Sequence, residues 1–189
     1  LYQAELIPVD SDEDGMDPTQ LEKLIQEYHP KFIYTIPTFQ NPTGRTLSLE
    51  RRKRVAELAN QYGVVVAEDD PYRDLRYRGK DLPPIKTFDQ EGWVVYLGSF
   101  SKIISPGMRV GFMAGDAQIL RKCTIGKQSS DLHTANLTQA IVDQFIRRGI
   151  LPGHICRISQ EYVVQCDAML RCLESFPEGV SFTRPEGGL

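Results

Sequence analysis

Nowhere in the 189 residues does an apolar run approach the ~20 positions that a membrane-spanning helix needs, so no span is expected. The opening residues, with Glu5, Asp10 and a further acidic cluster, lack the pattern of a secretory leader. Charge of one sign is missing too. At a formal net charge of −3 there is no basic stripe to attract nucleic acid, and none is expected to bind this segment. Cys123, Cys156, Cys166 and Cys172 include no C-x-x-C pair, which argues against zinc, and no other metal is expected. Reduced, packed thiols in a cytoplasmic protein are the plain reading. Internal repeats and low-complexity segments are absent as well.

What remains is a globular balance, 41% hydrophobic and 25% charged, long enough for one sizeable core. The chain opens on Leu1 rather than Met, in what reads as the approach to a strand, Glu5-Leu6-Ile7-Pro8-Val9. It stops at Gly188-Leu189, just after an Arg184-Pro185-Glu186-Gly187 turn. Both ends read as cuts, and an internal piece of a larger protein is expected.

Asp17-Pro18-Thr19-Gln20 starts a helix: an acid at the N-cap, proline at the first helical position, and a glutamine placed to reach back. Leu21, Leu24, Ile25 and Tyr28 form its apolar stripe, and His29-Pro30 closes it. Lys31 to Ile36 is a buried strand that runs into a punctuated loop, Pro37 to Gly44. Ser48 caps the next helix, whose stripe is Val55, Leu58, Ala59 and Tyr62, and Gly63 ends it. The run Arg51-Arg52-Lys53-Arg54 reads as the solvated face of that helix.

Val64 to Ala67 is a third apolar stretch, ending in Glu68-Asp69-Asp70-Pro71-Tyr72. Residues 73 to 91 are looser and are expected to wander over the surface. Trp93 to Gly98 is a strand, and Arg109 to Ala114 follows too closely for a crossover helix, so it should run antiparallel. Two strand–helix–strand passages with near-continuous apolar strands indicate a mainly parallel sheet covered on both sides. The fold class is therefore α/β, a three-layer sandwich with one antiparallel strand. Helices are predicted from Asp116 to Gln128, from Thr134 to Arg148, and from Gly153 through Ile155, Ile158, Tyr162, Cys166, Met169 and Leu173. Val180 to Thr183 would begin a strand of a second domain.

The chemistry-bearing residues follow strand ends: Asn41, then Asp69 with Tyr72, then Ser99, Ser101, Lys102 and Arg109. A parallel sheet brings such loops to one edge, where α/β folds bind ligands. A metal–phosphate site would suit an apolar strand feeding acids to Mg²⁺, but the phosphate-cradling G-x-x-x-x-G-K-[ST] is absent. Ser99-Phe100-Ser101-Lys102 also spells S-x-x-K, yet the S-D-N and K-T-G that accompany it in penicillin-recognising enzymes are missing. Pyridoxal phosphate needs a lysine for its aldehyde, a carboxylate for its ring nitrogen, donors for its phenolic oxygen, and hydroxyls with an arginine for its phosphate. All are here.

Asn41-Pro42-Thr43-Gly44, Asp69-Asp70-Pro71-Tyr72, Ser99-Phe100-Ser101-Lys102 and Gly107-Met108-Arg109-Val110-Gly111 together resemble the motifs of class I/II aminotransferases of fold type I. The wording Glu-Asp-Asp-Pro-Tyr-x-x-Leu is similar to the branch of aminoadipate, aromatic and kynurenine aminotransferases. The resemblance implies that Lys102 forms the internal aldimine and carries the proton between substrate and cofactor. It implies Asp69 at the pyridinium nitrogen, Asn41 and Tyr72 at the phenolic oxygen, and Ser99, Ser101 and Arg109 at the phosphate. Asp70 would be a structural neighbour. It further implies amino acid and 2-oxo acid substrates, a homodimer, residues 1–152 as a partial large cofactor-binding domain, and 153–189 as a linking helix plus the start of the small domain. The family's phosphate loop, ring-stacking aromatic and substrate-binding arginine have no counterpart in this segment, so the segment alone is expected to be inactive. Two rival readings share the same motifs: the aminotransferase-like effector domain of a MocR-type transcription regulator, and a pyridoxal-phosphate lyase.

Overall fold

The structure, a computed structural model, describes residues 3–189. A small hairpin of β1 (Ser11–Asp12) and β2 (Gly15–Met16) leads into α1 (Pro18–Tyr28). The Asp17 carboxylate accepts from Thr19 N at 2.8 Å, satisfying an amide that the first turn leaves open. Gln20 does not reach back to it; its side chain donates instead to Asp10 Oδ2 at 2.9 Å, tying the incoming chain to the helix. His29 closes the helix in the left-handed conformation, its amide bonded to Ile25 O.

β3 (Phe32–Thr35), α2 (Leu49–Tyr62), β4 (Val65–Asp69), β5 (Val94–Ser99) and β6 (Gly111–Ala114) follow. The sheet order is β3-β4-β5-β6; β3, β4 and β5 are parallel and β6 is antiparallel. This is the expected α/β class with a mixed, mainly parallel sheet. Gly63 ends α2 with φ +61°, and its amide bonds Ala59 O, the role for which a residue without Cβ is suited. Ile33, Val66 and Val94 point from the sheet onto Leu21 and Ile25 of α1 and Val55, Leu58 and Ala59 of α2. Each large member, fully buried, contributes about 1.5–3 kcal/mol relative to exposure. On the opposite face Phe32, Tyr34 and Met113 are exposed.

Asp89 launches β5. Its carboxylate, with a side chain that solvent does not reach, accepts from the amides of Gly92, Trp93 and Val94 and from Lys86 Nζ. Burial pushes its carboxyl up, but the Lys86 ammonium and these amides outweigh that and hold it below the ordinary value. Beyond β6 come α3 (Ala117–Ser130), α4 (Asn136–Arg147) and α5 (Ile150–Leu173). No helix among the described residues is long and apolar enough to cross a membrane. All four cysteines are free.

Several expectations are corrected. Glu5 to Val9 is not itself a strand, and the strand it approaches is the short β1. Residues 73–91 do not wander: two short 3-10 turns, Arg73–Leu75 and Ile85–Phe88, bury Leu75 and Ile85 completely. α5 begins at Ile150, since Pro152 fits a first helical turn that needs no amide. Its buried face carries Ser159 and Leu170, while Met169 of the predicted stripe is 62% exposed. Val180 to Thr183 is not a strand. Instead the chain returns a little later: Tyr77 N and Arg78 N both donate to Glu186 O, Gly188 N donates to Leu75 O, and Arg76 bridges Gly187. The basic run divides. Arg51 pairs with Asp12, Lys53 with Glu50 and Arg54 with Glu22, but Arg52 is fully buried.

Glu68 and Asp70 are buried on the α2 side of β4. Glu68 accepts from Ile85 N at 2.7 Å and Lys86 N at 2.8 Å, yet burial outweighs these bonds and pushes its carboxyl up to about 7. The folded chain therefore keeps a proton that the unfolded chain releases above about 4.5, so the stabilisation is complete below that pH and lost as pH rises through about 7. Urea unfolding should show stability falling between about pH 5 and about pH 8, and Glu68→Gln should shrink that fall by about 2–3 kcal/mol, leaving the smaller share of Asp70, whose carboxyl is pushed up to about 6. A second expectation concerns the returning segment. A Cβ on Gly187 would lie 2.2 Å from the Phe39 ring and 2.6 Å from Leu75 O, so Gly187→Ala should cost about 1–3 kcal/mol in thermal unfolding.

Candidate active site

Because β3, β4 and β5 point the same way, the segments leaving them emerge on one edge of the sheet. β6 runs back from that edge, with Gly111 opposite Ser99, so the segment entering it begins there too. Asn41 lies in the loop after β3, Tyr72 just beyond β4, and Ser101 and Lys102 just beyond β5, with Arg109 before β6. The topology thus gathers all seven predicted site residues at one edge.

Strand alternation decides which carboxylate of Glu68-Asp69-Asp70 is available. Glu68 and Asp70 turn into the α2 side, and burial pushes the Asp70 carboxyl up to about 6. Asp69 faces the other way, half-buried, and its Oδ2 accepts from the Tyr34 hydroxyl at 2.6 Å. Tyr34 pairs with Ala67 in the ladder, which makes Asp69 its diagonal neighbour on the same face. Burial, then the Asp69 bond, pushes the Tyr34 hydroxyl up to about 12, so at neutral pH it stays a donor. Tyr34 joins the candidate site, and sequence reasoning missed it. Its signal lay in the alternation, one position before the end of β3, but the partner needs the strand register.

Lys102 is half-buried in the turn after β5, its Nζ 5.8 Å from the centre of the Tyr72 ring, within the range of a cation–π contact. Amine and phenol are therefore neighbours. Ser99, Ser101 and Arg109 form a second group. Ser99 Oγ accepts from Ser101 N at 3.1 Å, and Arg109 Nη1 donates to Ser101 Oγ at 3.3 Å and to Pro106 O at 3.4 Å. Arg109 takes a left-handed backbone, φ +50°, where the Pro106–Met108 turn ends, and Phe100 N donating to Val110 O closes the loop. Two hydroxyls and a guanidinium with no carboxylate paired to them, among the described residues, make an anion-binding group.

Asn41 stands further out. It is exposed at the loop tip and shares with Tyr72 a cavity of about 370 Å³ that Phe39, Gly187, Gly188 and Leu189 also line. Its side-chain amide makes no hydrogen bond among the described residues, and none joins Asp69 to Lys102. A larger cavity, about 860 Å³, lies beside Arg45, Lys80 and Arg184 but touches none of Asp69, Lys102 or Arg109. The smaller one reaches the sheet edge through Asn41 and Tyr72, but it too is not lined by Asp69, Lys102 or Arg109. Taken along the whole edge, the chemistry is an amine, a carboxylate held by a phenol, a free amide, and an anion-binding corner.

Comparison with known proteins gives the family. The model of "Aminotransferase class I and II" matches residues 1–169. The chain is 46% identical to aromatic-amino-acid aminotransferase 1 of Thermococcus litoralis, over all of this chain and 46% of the relative. A solved Pyrococcus horikoshii kynurenine aminotransferase, in complex with PMP, superposes with a TM-score of 0.93 at 47% identity, over 96% of this chain and 46% of that one. LysN, an α-aminoadipate aminotransferase of Thermus thermophilus complexed with N-(5'-phosphopyridoxyl)-L-leucine, gives 0.89 at 38% identity, over 96% and 48%. The chain spans about half the length of the curated relatives it matches. On the match of its sequence and its fold together, this chain belongs to the class I and II aminotransferase family.

Proposed function

We propose that the whole protein is a pyridoxal-phosphate-dependent aminotransferase, moving an amino group between an amino acid and a 2-oxo acid. The observation that carries this reading is the donor set at one sheet edge: Lys102 beside Tyr72, Asp69 turned outward against Tyr34, and an Arg109–Ser101 corner without an acid. That set fits the cofactor. When bound, pyridoxal phosphate supplies an aldehyde to which amines condense and a ring that accepts electrons from the substrate.

In this reading Ser99, Ser101 and Arg109 hold the phosphate, with charge-assisted bonds from the guanidinium. Asp69 holds a proton on the ring nitrogen, and Tyr34 keeps that carboxylate turned toward it. Asn41 and Tyr72 donate to the phenolic oxygen. Lys102 Nζ provides the amine that anchors the cofactor and, once displaced, takes and returns the proton at the substrate's α-carbon. We further propose a cytoplasmic homodimer, with residues 1–152 belonging to the cofactor domain and 153–189 leading to the small domain. The exposed Phe32, Tyr34 and Met113 suit a face covered by the rest of such an assembly.

Full-length protein incubated with pyridoxal phosphate should acquire a visible absorption band, and Lys102→Ala should lack it and lose turnover by about 100-fold or more. A band that survives Lys102→Ala would sink the assignment. Tyr34→Phe should keep the band and lower turnover about 5-fold, the worth of one hydrogen bond to Asp69, as measured by steady-state kinetics.

A further inference from the structure

The loop after β3 carries Asn41 at its tip and is closed at its neck by Leu47 N donating to Pro37 O at 2.7 Å. Its two arms stay joined above the neck. Gln40 N donates to Arg45 O at 2.8 Å, Gly44 N donates to Gln40 O at 2.6 Å, and the Thr43 hydroxyl donates to Gln40 Oε1 at 2.6 Å. A loop bonded in this way moves as one piece, so displacing its neck displaces its tip.

Arg52, in the first turns of α2, holds that neck from below. Its guanidinium is fully buried and donates to both arms: Nη2 to Pro37 O at 2.8 Å and Thr38 Oγ1 at 3.0 Å, Nε to Leu47 O at 2.8 Å. Nη1 continues to Pro83 O at 3.1 Å, beside the turn whose amides bind Glu68. Burial pulls its proton affinity down, Asp70 and Glu68 hold the charge on, and Arg73 and Arg76 oppose them. A planar fork spreads five donors over three nitrogens held rigidly in one plane, whereas a lysine offers three from a single nitrogen on a flexible stem and cannot span these four acceptors with the same geometry. Simple packing would not require a buried cation, and taking one out of water costs several kcal/mol unless its bonds are well made.

We propose that Arg52 is the positioning residue of Asn41: by pinning both arms of loop 37–47 it sets where the Asn41 amide meets the cofactor's phenolic oxygen. This rests on the pyridoxal phosphate reading above. A donor at that oxygen lowers the pH at which the cofactor held on Lys102 changes its visible absorption, so loss of the donor raises that midpoint.

The test is a spectrophotometric pH titration of the full-length, cofactor-loaded protein, with thermal unfolding measured alongside. Arg52→Lys should raise the midpoint by about half a unit, in the direction of Asn41→Ala, and the double variant should show no further rise. Thr38→Val, which removes one of the four bonds, should shift it the same way by less, and decides the matter if Arg52→Lys does not fold. Lower thermal stability with a wild-type midpoint in the folded variants overturns the proposal and leaves Arg52 a brace of the fold alone. Shifts that add in the double variant overturn it as well. If the wild-type protein gains no band, or keeps it in Lys102→Ala, the cofactor reading falls and this proposal with it.

Discussion

Everything at the active edge depends on three strands sharing one direction. Parallel pairing of β3 with β4 and β4 with β5 is maintained by long connections over the surface, one helical and one built of 3-10 turns. Those connections must bury themselves to be stable, and they do so through Leu58, Val55 and Ile85 against the same sheet face. The core and the site are thus two results of one arrangement. The apolar side chains fill the space under the strands, and the polar ones collect where the strands stop.

Buried charge behind the site is the less expected half of the design. Arg52, Glu68 and Asp70 lie close together with little solvent, and the carboxyls respond by holding protons up to about 7 and about 6. Such a cluster is a poor source of stability, since desolvation offsets much of the attraction. What it does supply is direction. Carbonyls of Pro37, Leu47 and Pro83 converge on one guanidinium, and amides of Ile85 and Lys86 converge on one carboxylate, so three segments distant in sequence are locked to α2 and β4.

Much of this was legible before any coordinates. The apolar runs, the caps at Asp17 and Gly63, and the short 100–110 connection identify the strands, the two covering helices and the reversed β6. The order of the four motifs names the candidate site. What could not be read has a common physical cause: it needed to know which distant backbone faced a side chain. Arg52 sits in a run of four basic residues, and nothing local distinguishes it from Arg51 or Arg54, which pair with surface acids. Tyr34 gains its meaning only from pairing with Ala67 beside Asp69. Val180 to Thr183 has strand composition but no partner, whereas Glu186 to Gly188, with weak strand character, finds one at Leu75 to Arg78.

The three consecutive acids at the end of β4, Glu68 to Asp70, carry a final consequence. Chemically they are nearly equivalent; what separates them is parity, Asp69 toward Tyr34 and Glu68 and Asp70 toward Arg52. A single uncharged residue inserted between Val65 and Glu68 would leave net charge and the order of elements unchanged. It would also turn Asp69 inward, leave the Tyr34 hydroxyl without its acceptor, and bring two carboxylates to the face that now holds one. In this family member, strand length counted modulo two is as much a determinant of chemistry as any side chain.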